Sequence, residues 1–327
     1  MEYNINMEPW LIILISVLSG VLLLIIAAFF IIGYVTFNVL LSRKVNRDFI
    51  VEEAKKNYRD PTAKEKETYK KSLSKWRKGT TCDEVFVISE DFLKLRGDMY
   101  LQKEESHRWV IAMHGYAGWA STMLPVVVPI TGDKYNALVL DARAHGRSEG
   151  DYIGMGWLER RDLVKWIEFI VNRDPKASIA LYGISMGGAT VLATSGEELP
   201  NNVKCFIEDC GFTTVYRQFH EQIRRKYHIP TFPILDIASM FSGFKAGYNF
   251  KSADLIKQVA KCKKPLLIIH GEKDVFVSVR MAQTIYDAAT CKKELLLIPD
   301  AGHTDSYLVN PELYFGSIDK FLTKYLK

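Results

Sequence analysis

The stretch Ala180-Leu181-Tyr182-Gly183-Ile184-Ser185-Met186-Gly187-Gly188 decides the reading of this chain. An apolar run enters a Gly-x-Ser-x-Gly turn and leaves through small residues, the pattern of a strand that reverses sharply into a helix. At such a turn the strand and helix backbones approach closely, so the positions two before and two after the serine have no room for a side chain. The hydroxyl is thrust out at the helix head, which makes Ser185 a candidate nucleophile. The bland alternative is a set of small residues that happen to end a strand, and the rest of the chain has to decide between the two.

A serine hydroxyl is a poor nucleophile until a histidine takes its proton, and that histidine needs a carboxylate to fix its tautomer. Both partners belong in loops after later strands, in the order serine, acid, histidine. Leu266–Ile269 reads as a strand leading into His270-Gly271-Glu272-Lys273-Asp274, and Leu295–Ile298 as a strand leading into Pro299-Asp300-Ala301-Gly302-His303. Asp274 is the candidate acid and His303 the candidate base. Glu272, and Glu208 or Asp209 after the preceding inner strand, remain rival acids. Two backbone N–H groups are the candidate oxyanion donors: Met186, which follows the serine, and Tyr116, in the loop Met113-His114-Gly115-Tyr116-Ala117-Gly118. At Tyr116 only the backbone is expected to matter, and His114 is expected to order that loop by hydrogen bonding.

Outward from these motifs, short apolar strands alternate with helical stretches from about Asp83 to the end, the signature of a mostly parallel sheet covered on both faces. The expected inner strands are Trp109–Met113, Ala137–Leu140, Ser178–Tyr182, Val203–Ile207, Leu266–Ile269 and Leu295–Ile298, after a leading hairpin over Glu84–Leu101. Phe212–Phe250 breaks the alternation: it is long, aromatic and interrupted by Pro230 and Pro233. Its apolar content argues against disorder, and it reads as a helical cap inserted over the site.

The N-terminal part is of another kind. No charged residue occurs from Trp10 to Leu41, and Leu11–Ile32 is almost continuously aliphatic or aromatic. Roughly 20 apolar residues cross a bilayer, so a transmembrane helix is expected. A cleaved signal peptide would start with a basic region and carry a shorter apolar stretch, whereas this flank holds Glu2 and Glu8 and no Lys or Arg. Basic residues follow at Arg43, Lys44 and Arg47, which orients the helix with its N-terminus outside and the catalytic domain cytoplasmic.

The net charge of +5 belongs to the linker, where Arg43–Lys78 holds 13 Lys and Arg against 6 acidic residues. That segment is either a surface held against anionic headgroups or a solvated helical spacer. No basic stripe continues into the globular part, so nucleic-acid binding is not expected. The five cysteines show no zinc-ligand spacing, which suits reduced, mostly buried thiols and no metal site. The resulting organisation is 1–41 flank and anchor, 42–82 basic helical linker, and 83–327 catalytic domain with a cap over about 212–250.

Taken in order, His114-Gly115-Tyr116, Asp141-Ala142-Arg143-Ala144-His145-Gly146-Arg147-Ser148, Gly156-Trp157-Leu158-Glu159-Arg160-Arg161-Asp162, the Ser185 turn, His270–Asp274 and Gly302-His303 resemble the α/β-hydrolase superfamily. Within it the chain is most similar to membrane-anchored bacterial hydrolases related to serine aminopeptidases and monoglyceride lipases. Ala144 departs from the pattern, since relatives often have glycine there, and it is expected to alter a turn.

The resemblance implies an α/β fold with a mostly parallel central sheet flanked by helices. It also implies acyl transfer to water through an acyl-enzyme, with no metal or organic cofactor. The expected substrate is a small-molecule or lipid acyl ester. A peptidase or amidase is the alternative, and a membrane-tethered binding protein without catalysis is the reading from a different class.

Overall fold

The computed structural model of the chain describes residues 8–55 and 58–327; the flank Met1–Met7 with Glu2 lies outside them. The chain opens with α1 (Pro9–Leu41), α2 (Asp48–Ala54) and α3 (Ala63–Gly79), followed by β1 (Thr80–Ile88), β2 (Lys94–Gln102) and β3 (Arg108–Met113). Next come α4 (Leu124–Thr131), β4 (Asn136–Leu140), α5 (Glu159–Arg173), β5 (Ser178–Ile184), α6 (Met186–Thr194) and β6 (Val203–Asp209). The insertion follows as α7 (Val215–Tyr227), α8 (Ile234–Ala246) and the short α9 (Leu255–Val259). The chain closes with β7 (Leu266–Gly271), α10 (Val279–Ala288), β8 (Lys293–Ile298), α11 (Ser306–Val309) and α12 (Pro311–Tyr325).

The strands form one eight-stranded sheet in the order β1-β2-β4-β3-β5-β6-β7-β8. β1 and β2, and β2 and β4, pair antiparallel, and every other neighbouring pair is parallel. Residues of β4, β5 and β7 are buried throughout. That is why these strands read as unbroken apolar runs and not as alternation: helices cover both faces. One face carries a core that includes Trp166 of α5, Leu192 of α6 and Met281 of α10. The other packs Trp76 of α3, Val127 of α4 and Tyr314 of α12. The parallel strands direct the carboxyl ends of β3, β5, β6, β7 and β8 to one edge, where the loops of the site gather.

The N-terminal helices are bound into this body. The first part of α1 is largely exposed, and its apolar 18-residue core has none of its residues buried. Its last three turns differ, with Gly33, Phe37 and Leu41 buried. α1 lies against α8, Tyr34 and Phe241 meeting edge to face with ring centres 5.1 Å apart. By length and composition α1 qualifies to cross a membrane.

The basic segment behind it is no free spacer. Arg43 donates to the Gly146 carbonyl at 2.8 Å and to the Ser148 carbonyl at 2.5 Å. The Arg59 guanidinium donates to Leu308 O at 2.9 Å, and Trp76 Nε1 donates to Thr131 Oγ1 at 3.1 Å. β1 begins at Thr80, so it takes up the last residues of the stretch expected as linker.

Candidate active site

Ser185 sits between the end of β5 and the start of α6 with φ 56° and ψ −116°, a left-handed-side conformation that a serine adopts only under constraint. The constraint is visible in the neighbouring glycines. A Cβ on Gly183 would run into the Gly187 carbonyl, and one on Gly187 would run into the carbonyl of Met113 at the end of β3. Both obstacles are backbone, so neither can swing aside, and the Gly-x-Ser-x-Gly spacing is a packing requirement. The turn is pinned by the Ser185 N–H, which donates to Asp209 O at 2.7 Å.

Three candidates come together. Ser185 Oγ lies 2.9 Å from His303 Nε2, and His303 Nδ1 lies 2.7 Å from Asp274 Oδ2. With Nδ1–H donating to the carboxylate, Nε2 is left as the acceptor for the serine proton. All three side chains are buried. Asp274 is fixed from its other side, where Oδ1 accepts the N–H groups of Phe276 and Val277, each at 2.8 Å. His270 Nε2 also approaches Asp274 Oδ2, at 3.4 Å, while donating to Val277 O at 2.9 Å. Burial by itself would raise the Asp274 carboxyl, but His303 and His270 outweigh it and hold the group well below the usual carboxylate range.

The rival acids occupy other posts. Asp209 Oδ2 accepts the Tyr314 hydroxyl at 2.7 Å, and burial pushes its carboxyl up to about 6. Glu208 Oε2 accepts the Gly211 N–H at 2.8 Å, and burial pushes that carboxyl up to about 8. Glu272 is exposed. Cys210 completes a compact group with Asp274 and His303, their ligand-type atoms lying within 4.8 Å of one another. Burial raises the Cys210 thiol well above its ordinary value, so the sulfur keeps its proton. Within this group Asp274 Oδ2 and His303 Nδ1 are already bonded to one another.

Tyr116 and Met186 line, together with Ser185, a cavity of about 300 Å³ to which Phe219, Ile223 and Phe276 also contribute. Met186 opens α6, where the first-turn N–H groups have no partner within the helix. The Tyr116 loop is ordered by two neutral histidines. His114 Nε2 accepts the Ala142 N–H at 3.0 Å, and His145 Nε2 accepts the Ala117 N–H at 3.3 Å. Burial lowers both rings, His145 to about 3, which keeps these nitrogens free to accept.

The Asp141–Ser148 turn supports that loop. Asp141 accepts the N–H groups of Ala120 and Arg147, and a Cβ on Gly146 would strike its carboxylate. Ala144 takes φ 59°, so the alanine occupies a left-handed position of the kind glycine favours, and the turn is kept.

Sequence reasoning missed the Tyr116 side chain. Its hydroxyl donates to Leu40 O at 2.6 Å, at the end of α1, and accepts from Arg47 Nε at 2.7 Å. The Arg47 guanidinium also lies 5.3 Å from the centre of the Tyr116 ring. Tyr116 is therefore not a position where only the backbone counts, because its ring ties the loop beside Ser185 to the N-terminal helix. The available signal was Gly33 and Thr36, small residues one helical turn apart late in an aliphatic run, which mark a packed helix face.

Residues 104–224 match the family model described as serine aminopeptidase, S33. The Bacillus subtilis (strain 168) protein YqkD is 29% identical over 189 residues, which is 58% of this chain and 62% of that protein. The Escherichia coli (strain K12) protein YfhR is 28% identical over 200 residues, 61% of this chain and 63% of its own length. The matched region thus spans less than two thirds of these relatives. Among solved structures, a Pyrococcus furiosus esterase superposes with a TM-score of 0.64 at 26% identity, covering 79% of this chain and 94% of the esterase. A Pyrococcus horikoshii acylaminoacyl peptidase gives 0.60 at 16% identity over 79% of this chain and 43% of its own, a likeness of fold alone. Sequence likeness and sheet topology thus agree, and the chain has the α/β-hydrolase fold.

Proposed function

We propose that the chain is a membrane-anchored serine hydrolase that cleaves an acyl ester through an acyl-enzyme on Ser185. The observation that carries this reading is the relay from Ser185 Oγ through His303 to Asp274, at 2.9 and 2.7 Å, opening onto a largely apolar cavity. In the first half, Ser185 Oγ attacks the ester carbonyl carbon while His303 Nε2 takes its proton. The carbonyl electron pair moves to oxygen, which the N–H groups of Tyr116 and Met186 receive. Collapse expels the alcohol, which leaves with the proton from His303. In the second half water replaces the alcohol: His303 accepts its proton, the tetrahedral adduct collapses, and Ser185 Oγ recovers the proton as the carboxylic acid departs. Asp274 stays ionised and stabilises the imidazolium in both halves.

An amide substrate uses the same relay, and the serine aminopeptidase match favours considering it. A peptide amino terminus calls for an acidic partner in the pocket. Among the described residues Glu53 is the acidic one lining the cavity, and it already lies 3.4 Å from Arg225. An apolar acyl group suits the cavity better. A run of uncharged residues from Trp10 to Leu41, followed by Arg43, Lys44 and Arg47, supports α1 as the anchor with the catalytic domain on the cytoplasmic side.

The test is hydrolysis of p-nitrophenyl acyl esters by the full chain in detergent, with Ser185→Ala beside it. Turnover that disappears in Ser185→Ala, together with loss of fluorophosphonate labelling, is the expected result. Unchanged turnover in Ser185→Ala would end the proposal, and labelling without ester turnover would move the reading to amide substrates.

A further inference from the structure

The cavity in front of Ser185 is not closed by the catalytic domain alone. Ile32, Val35, Thr36, Val39 and Leu40 of α1 line it, together with Phe219 and Ile223 of α7. We infer that α1 is part of the substrate site, and that the acyl chain it receives is that of an ester resident in the bilayer, entering sideways along this helix. The inference deepens the esterase reading and rests on it for the chemistry.

The dimensions support this placement. α1 has 33 residues. At about 1.5 Å per residue it is roughly 50 Å long, whereas the hydrocarbon layer is about 30 Å thick. About 20 Å of helix therefore remains outside the hydrocarbon, and the buried positions Gly33, Phe37 and Leu41 all fall in that last portion. The cavity wall coincides with it, so the mouth lies at the boundary between acyl chains and headgroups.

The insertion points the same way. A Cβ on Gly33 would strike Ile237, and further along Phe37 faces Phe241 with ring centres 6.5 Å apart, so α1 and α8 run in the same direction. The start of α8 and the loop before it are consequently at the bilayer end. That loop region exposes Tyr227, Ile229 and Phe232, the last at 74%. Apolar tips on a loop beside a membrane-entering helix are surface that a bilayer interface would cover. The end of α1 is also fixed to the chemistry, since Leu40 O accepts the hydroxyl of Tyr116.

The test uses the full chain reconstituted in vesicles of phosphatidylethanolamine and phosphatidylglycerol. Val39→Trp fills the α1 wall, and Val21→Trp, in the lipid-facing part of the same helix, is the control. Each methylene denied burial costs close to a factor of four, so the palmitate-to-butyrate ratio of kcat/KM for the p-nitrophenyl esters should fall at least about tenfold in Val39→Trp and stay near wild type in Val21→Trp. An unchanged ratio in Val39→Trp, or an equal fall in both variants, would overturn the inference.

A second readout needs no turnover: a photoactivatable palmitate in the same vesicles, with Ser185→Ala protein. Crosslinks to Phe219 or Ile223 that vanish when Val39→Trp is added support the α1 wall, and crosslinks confined to residues 10–31 refute it. Crosslinking at α7 without ester turnover by wild type would reject the esterase reading while leaving the acyl site in place.

Discussion

Replacing Asp274 by asparagine isolates the electrostatic part of the relay. The amide keeps the size of the carboxylate, and its Oδ1 still accepts the N–H groups of Phe276 and Val277. What changes is the atom facing His303 Nδ1 at 2.7 Å. An NH₂ there forces Nδ1 to become the acceptor and puts the ring proton on Nε2, which then points at Ser185 Oγ and cannot take its hydrogen. The charge that would stabilise the imidazolium is lost as well. Two unit charges at 2.7 Å interact by about 6 kcal/mol at an effective dielectric constant near 20. At 1.36 kcal/mol per decade that is a rate loss of about 10⁴.

The assay is kcat/KM on the best p-nitrophenyl ester, with Tm measured on the same preparations. Asp209→Asn is the comparison, because Asp209 is engaged by Tyr314, and it should cost less than about tenfold. A loss below tenfold in Asp274→Asn, or a larger loss in Asp209→Asn with its Tm intact, would refute the assignment of Asp274 as the acid.

Other consequences follow from burial and packing. Glu208 has an ordinary value of 4.5 raised to about 8, so folding favours its neutral form. Stability from this group is complete below pH 4.5 and falls as pH rises through about 8, at about 1.4 kcal/mol per pH unit within that window. Glu208→Gln should therefore flatten Tm against pH between 5 and 8; parallel curves for variant and wild type would contradict it. Asp274 has the opposite sign: its lowered carboxyl contributes stability above its ordinary value of 3.8 that disappears as pH falls through the folded value, so Asp274→Asn should lessen acid sensitivity below pH 4. Gly187→Ala should lower stability by about 1–3 kcal/mol or more and abolish fluorophosphonate labelling, because its Cβ meets the Met113 carbonyl; a variant that labels normally would show that the turn can relax. Tyr116→Phe removes the bonds to Leu40 O and Arg47 Nε and should cost about 1–3 kcal/mol of stability, with kcat falling more than KM changes. A Tm within 1 °C of wild type would argue against that tie.

Sequence alone determined what is set by local backbone geometry and by chain order. The Ser185 turn was legible because its constraints come from residues two positions away, and Gly183 and Gly187 leave no alternative to glycine. The parallel sheet was legible because strands covered on both faces must be apolar throughout, as β4, β5 and β7 are. Gly302-His303 was legible as the end of the last strand's loop.

The sequence put Asp274 first among the acids and left its rivals open. Glu208, Asp209 and Asp274 all lie at or just beyond the carboxyl ends of adjacent strands, and only side-chain direction in three dimensions brings Asp274 to His303 and Asp209 to Tyr314. The double character of α1 was not legible. Hydropathy measures avoidance of water, and lipid and protein satisfy it equally, so a run of apolar residues does not say where the bilayer ends and the protein interior begins. The burial of Gly33, Phe37 and Leu41, and the insertion of Arg43 and Arg47 into the domain, come from long-range packing that no local pattern encodes.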